Sequence, residues 1–172
     1  MSASITERPY AEILEDAQHP PGIRLVSRNT LVPALDDDVI GAIASLSTAG
    51  GPRAIAVRSL GGAVSRVPSD ATAFAHRDAE AMVVCGTFLP ETATDADLEA
   101  ALLPWQSVAE LGTGTYVNFQ GSATEADVAA AYPPATYARL AAVKRAYDPG
   151  NLFALNHNIE PASAEIADGP AA

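Results

Sequence analysis

Residues 23–60, IRLVSRNTLVPALDDDVIGAIASLSTAGGPRAIAVRSL, decide the fold class. Ile23, Leu25 and Ser27 alternate with Arg24, Val26 and Arg28, a two-residue period that reads as a strand over Ile23 to Val32. Asp36-Asp37-Asp38 then supplies acids for the positive end of a helix dipole. Val39, Ile43 and Leu46 follow at i, i+4 and i+7, with Ile40 beside them, the spacing of one buried helical face. Thr48-Ala-Gly-Gly-Pro52 stops that helix, and Arg53 to Leu60 returns to a strand. Gly61-Gly62 permits a turn or a close backbone approach.

Downstream, Ala63 to Val67 and Thr72 to His76 read as two further short strands. Met82 to Leu89 is a clearer one, apolar and bounded by Pro90. Thr94-x-x-Asp97 resembles a capping box, after which Leu98, Leu102, Trp105 and Ala109 share a helical face; Pro104 kinks or restarts it. Gly112-Thr-Gly114 breaks the pattern, and Thr115 to Phe119 is expected to be short and extended. A last helix runs from about Ala135 to Tyr147, with Leu140, Val143 and Tyr147 on one face, and Asp148-Pro149-Gly150 ends it. Upstream, residues 7–22 read as a short helical segment closed by Pro20-Pro21-Gly22. Strands and helices mix without a regular βαβ alternation. That pattern predicts an α+β fold, an antiparallel sheet with helices packed on one face.

Composition excludes several classes. The chain has 172 residues, 48% of them apolar and 18% charged, so it is not disordered throughout. Its formal net charge of −11 repels phosphate backbones and anionic lipid heads, which argues against nucleic-acid and membrane-surface partners. The start has no basic segment followed by an apolar one, and no run of about 18 apolar residues occurs. A cytoplasmic location is expected. The single cysteine, Cys85, follows Met82-Val83-Val84 and reads as a buried thiol. His19, His76 and His157 lie far apart without cysteine partners, so no metal site is expected.

No phosphate loop, nucleophile elbow or dinucleotide fingerprint appears; Gly112-x-Gly114 lacks the third glycine and reads as a helix-to-strand loop. The informative polar groups are Tyr116-Val117-Asn118-Phe119 and Asn156-His157-Asn158-Ile159. On a strand, Tyr116 and Asn118 project to one face, and a phenol beside a carboxamide offers donors and acceptors to a planar heteroaromatic ligand. Asn156 and Asn158 do the same if Leu155 to Ile159 is extended. Asparagines at such places equally serve turns and caps.

Tyr132 to Pro161, YPPATYARLAAVKRAYDPGNLFALNHNIEP, resembles the C-terminal segment of the berberine bridge enzyme-like FAD-linked oxidases. The shared features are a tyrosine-containing helix, a Lys-Arg-x-Tyr-Asp-Pro stop, then Asn-x-Phe and Leu-Asn-x-Asn. Tyr116 to Phe119 resembles that family's active-site strand. Residues 61–77 and Pro9-Tyr10-Ala-Glu12 resemble parts of its substrate domain. The likeness implies a tail over 1–8, a partial substrate domain over 9–131, a berberine-like segment over 132–161 and a disordered tail over 162–172.

It also implies FAD as cofactor, Tyr116 as the catalytic residue on the substrate side, and Asn118, Asn156 and Asn158 as cofactor-binding. Where several relatives carry a proton-accepting tyrosine this chain has Phe119, and Phe74 and Ala71 stand where others have a hydroxyl-bearing aromatic and a carboxylate. The family's N-terminal flavin-binding domain has no counterpart in these residues. The chain is therefore expected to be the substrate-side part of an FAD-dependent oxidoreductase acting on a small molecule, inactive and unable to hold FAD alone. Its expected partner is a separately encoded flavin-binding domain or a second copy. The alternative is a non-catalytic binding module or truncated remnant that keeps the fold.

Overall fold

The computed structural model describes residues 6, 7, 9–12 and 20–163. Three strands, β1 (Ile23–Val32), β2 (Arg53–Ser59) and β3 (Ala81–Pro90), form one antiparallel sheet in the order β1-β3-β2. Leu31 and Arg58 both sit opposite Met82, and Asn29 and Ala56 both sit opposite Val84. The helices are α1 (Asp37–Thr48), α2 (Asp95–Leu102), α3 (Gln106–Ala109), α4 (Glu125–Ala131) and α5 (Pro134–Tyr147). The α+β fold and antiparallel sheet are as the sequence predicts.

Strand alternation divides the apolar residues between two faces. On one, Val32, Ala81, Val83 and Cys85 pack with Val39 and Leu46 of α1 and with Trp105 and Val108, forming the main core. Cys85 is 1% exposed, and burial pushes its thiol up. Asp36 caps α1 by accepting from the Val39 N–H at 3.0 Å. On the other face, Leu31 and Met82 are covered by Leu60, Phe74, Tyr116 and Phe119. Beyond that cover Val84, Gly86 and Phe88 are half-buried, while Thr87, which points to the helices, is buried. One end of this second face is therefore roofed and the rest is open.

Several local expectations are corrected. Ala63 to Val67 and Thr72 to His76 are turns and bends, not strands. Gly62 takes φ 71°, Ser65 Oγ donates back to its carbonyl, and Arg77 ties the second stretch by donating to the Phe74 carbonyl and Thr72 Oγ1. Thr115 to Phe119 is not one strand: Val117–Phe119 form a 3₁₀ turn, closed by Phe119 N–H to Tyr116 O and Gln120 N–H to Val117 O. The helical face through Trp105 does restart at Pro104, as expected, where a 3₁₀ turn over Leu103–Trp105 separates α2 from α3. Of the segment expected at 7–22, Tyr10–Glu12 form a 3₁₀ turn and residues 13–19 lie outside the described residues. So do residues 164–172 of the expected disordered tail.

The glycine pair at 112 and 114 is there for close packing. A Cβ on Gly112 would lie 1.7 Å from Thr30 Oγ1, and one on Gly114 2.1 Å from the His76 ring. This contact lets residues 113–121 line the free edge of β1. Leu31 N–H donates to Gly114 O, Thr113 N–H to Leu31 O and Gly121 N–H to Ser27 O.

Candidate functional site

Tyr116 is placed by a buried asparagine. Tyr116 N–H donates to Asn29 Oδ1 at 2.8 Å, and Asn29 Nδ2 donates to Tyr116 O at 3.0 Å. Gln120 Oε1 accepts from the Asn29 backbone and side chain, and Gln120 Nε2 donates to Asp127 Oδ1 at 2.6 Å. Burial pushes the Asp127 carboxyl up, but hydrogen bonds from Ser122, Thr124 and Gln120 outweigh it and hold the group below its usual value. Asn29, Gln120 and Asp127 were not singled out from the sequence. Thr124-x-x-Asp127, the same capping pattern as Thr94-x-x-Asp97, was the signal for the unforeseen helix α4.

Strand alternation does not bring Tyr116 and Asn118 together; the 3₁₀ turn does. Asn118 Nδ2 donates to Tyr116 Oη at 2.7 Å. The phenol oxygen is thereby an acceptor, and its own O–H remains to donate elsewhere. The Tyr116 ring stands edge-on to Phe74, centroids 5.5 Å apart, and tilted against Phe119 at 6.0 Å. His76 Nε2 lies 3.1 and 3.2 Å from the carbonyls of Ala130 and Ala131, so it carries the proton and ties the end of α4 to this wall.

Leu155 to Ile159 is not extended. Asn156 has φ 60°, a left-handed conformation that asparagine tolerates, and Asn158 N–H closes a turn on the Asn156 carbonyl. The turn sends the two asparagines to different cavities. Asn156 shares a cleft of about 550 Å³ with Asn118, Gln120, Tyr132 and His157. Asn158 lines a neighbouring cavity of about 580 Å³ with Tyr132, Tyr137 and Glu160. Burial, then the nearness of Tyr116, raises the Tyr132 phenol above its usual value.

Asn151 Oδ1, His157 Nε2 and Asn158 Oδ1 are buried without hydrogen-bond partners. His157 Nε2, with the carboxamides of Asn118 and Asn156 in the same cleft, gives a donor and acceptor set that fits the carbonyl and N–H edge of an isoalloxazine. None of the described helices opens from a glycine-rich loop of the kind that cradles a pyrophosphate. The described residues thus fit the ring end of a flavin, not its phosphates. No group of histidines, cysteines and carboxylates among them could hold a metal ion, and no described helix is long and apolar enough to cross a membrane.

Residues 115–160 match the family described as berberine and berberine-like. The chain is 47% identical over 72 residues to (R)-6-hydroxynicotine oxidase of Paenarthrobacter nicotinovorans, a match covering 42% of this chain and 15% of that protein. Its fold matches 6-hydroxy-D-nicotine oxidase from Arthrobacter nicotinovorans with a TM-score of 0.67 at 24% identity, over 94% of this chain and 38% of that one. It also matches berberine bridge enzyme-like protein 28 from Arabidopsis thaliana with a TM-score of 0.69 at 17% identity, over 92% of this chain and 38% of that one. The chain spans little more than a third of these solved structures, and at these identities they show the fold alone. In its berberine-like segment, in its sequence likeness to a hydroxynicotine oxidase and in its fold, the chain is similar to part of the berberine bridge enzyme-like FAD-linked oxidases.

Proposed function

We propose that the chain is the substrate-side part of a cytoplasmic FAD-dependent oxidoreductase whose flavin-binding part lies outside these residues. The open half of the sheet face carries this reading: it ends at a wall formed by Tyr116, and Asn118 is bonded to that tyrosine. FAD, when bound, accepts the hydride taken from a substrate carbon. Asn118 and Asn156, from their common cleft, and Asn158, from the adjoining one, would hold the isoalloxazine edge. Tyr116 would direct its free O–H to the substrate, while Phe74 and Phe119 fix the plane of its ring and keep water from that side. Tyr147, Leu152, Phe153 and Leu155 are 81–88% exposed, and the hollow shared by Tyr147 and Phe153 is where the flavin-binding part would dock.

One observation favours the non-catalytic alternative. The ring at position 119 is a phenylalanine and cannot accept a proton from a substrate being oxidised. Mixing the chain with a flavin-binding domain of the same family separates the two readings. Stable capture of FAD and its bleaching by a reducing substrate support the oxidoreductase. Capture without any bleaching across alcohols and amines supports the binding module, and no capture overturns both roles for the asparagines.

A further inference from the structure

We propose that Arg58 makes the open sheet face selective for an aromatic anion, a ring bearing a carboxylate. The inference rests on reading that face as the substrate side. Of the residues that the strand register puts on this face, Arg58 is the one that carries a charge; Met82 lies across from it, and Ala56 and then Ala54 follow it along β2, opposite Val84 and Gly86. Its guanidinium lies 4.9 Å from the Phe119 ring centroid, and Phe119 in turn packs against Tyr116. No hydrogen bond or ion pair among the described residues uses it; the one ion pair there joins Lys144 to Asp148. Arg77, at the other end of the aromatic row over Phe74, is different. Its three nitrogens donate to the Phe74 and Val64 carbonyls and to Thr72 Oγ1.

Arg58 is therefore a cation held in place by an aromatic face with its hydrogen-bond donors unspent, in a chain with 21 acidic side chains. A stacked guanidinium keeps the in-plane fork that binds a carboxylate through two parallel N–H bonds. The net charge of −11 repels anions at a distance, so an anionic ligand needs such a local cation to settle. The floor beside it suits a flat ring. Ala54 and Ala56 are exposed and small, while opposite Ala54 the space over Gly86 is filled by Leu25 Cδ1, which closes that end of the floor. A planar ring lies across these small residues with its carboxylate on Arg58.

The test uses the full chain in solution, with benzoate and its neutral isostere benzamide as probes, followed by the amide resonances of Ala54, Ala56, Arg58, Gly86 and Phe119. Benzoate is expected to shift these signals and to bind about fivefold or more tightly than benzamide, the scale of a charge-assisted pair. Arg58→Gln should abolish that preference, and Arg58→Lys should keep part of it by retaining the charge without the fork. Equal binding of the two probes, no benzoate binding, or a preference that survives Arg58→Gln would each overturn the inference. Flavin capture with the added domain is measured on the same samples. Loss of capture by the unmodified chain would sink the parent reading, whereas normal capture with no benzoate preference sinks only the role of Arg58.

Discussion

Asn29 replaces a missing strand partner at the edge of β1. Its carboxamide mimics a peptide group, taking the N–H of Tyr116 and giving its own N–H to the Tyr116 carbonyl. Buried polar groups stripped of such partners cost about 1–3 kcal/mol each. Asn29→Ala is thus expected to lower unfolding stability by about 2–3 kcal/mol in urea titrations, and a change within about 0.5 kcal/mol would show that water replaces the clamp. Tyr116→Phe asks a different question. It removes a hydroxyl whose partner, Asn118, is exposed and can turn to water, so stability should change by no more than about 0.5 kcal/mol. Turnover in the reconstituted complex should fall about tenfold or more if that O–H meets the substrate. Equal turnover in the two proteins would remove Tyr116 from the reaction.

At the scale of elements, α4 depends on one carboxylate. Asp127 takes hydrogen bonds from Thr124, Ser122 and Gln120 and so joins the helix cap to the network behind Tyr116. Its folded pKa lies below the unfolded one, so the unfolded chain binds the proton first as pH falls. The stabilisation is complete above the unfolded value, about 3.9, and is lost as pH drops through the lower folded value. Asp127→Asn should cost about 1 kcal/mol at neutral pH, as a lost cap does, and should flatten the loss of stability below about pH 5. Asp97, held low by Thr94, and Asp148, held low first by Lys144, leave the variant a residual slope. An acid profile unchanged by the substitution would place the pH dependence in those two groups.

The elements that were legible in the sequence are those with a local signal. The period of two gave β1, the acids and spacing gave α1, and the proline and capping signs gave the bounds of α2 and α5. What failed has a non-local cause. Residues 63–76 look strand-like by composition but are held as turns by Gly62 and by Arg77, whose partners lie 3–13 residues away. Thr115 to Phe119 looks extended, yet Gly121 N–H is drawn to Ser27 O at 2.9 Å and the chain before it tightens into a 3₁₀ turn. The site suffers from the same limit. Tyr116 and Asn118 were expected together and are together, through a turn and not a strand. Asn156 and Asn158 were expected to act side by side, and the left-handed backbone at Asn156 divides them between two cavities. Nothing near Tyr116 in sequence points to Asn29, 87 positions away.

At the scale of the whole molecule, one apolar surface is left uncovered by the described residues. Val143 and Tyr147 share a face of α5, as their spacing requires, but that face is uncovered and shares a hollow with Phe153 and Ile159, while Leu152 and Leu155 are exposed beside them in the sequence. The backbone there is nevertheless fixed: Asp148 accepts the N–H groups of Leu152 at 2.8 Å and Phe153 at 3.1 Å, and Lys144 donates to the Phe153 carbonyl. An exposed apolar surface on a hydrogen-bonded backbone suits an interface. The chain purified alone is expected to be colourless, because the described residues offer the ring end of a flavin and nothing for its phosphates, and to self-associate through this surface. Replacing Phe153 and Leu155 together by serine removes two exposed rather than two core side chains, so it should yield a monomer in sedimentation with unchanged circular dichroism. The same double variant should lose capture by the flavin-binding domain if one surface serves both contacts. A yellow monomer carrying one flavin per chain would overturn the half-site reading. Self-association that survives the double substitution would move the interface to the open sheet face or to the free edge of β2.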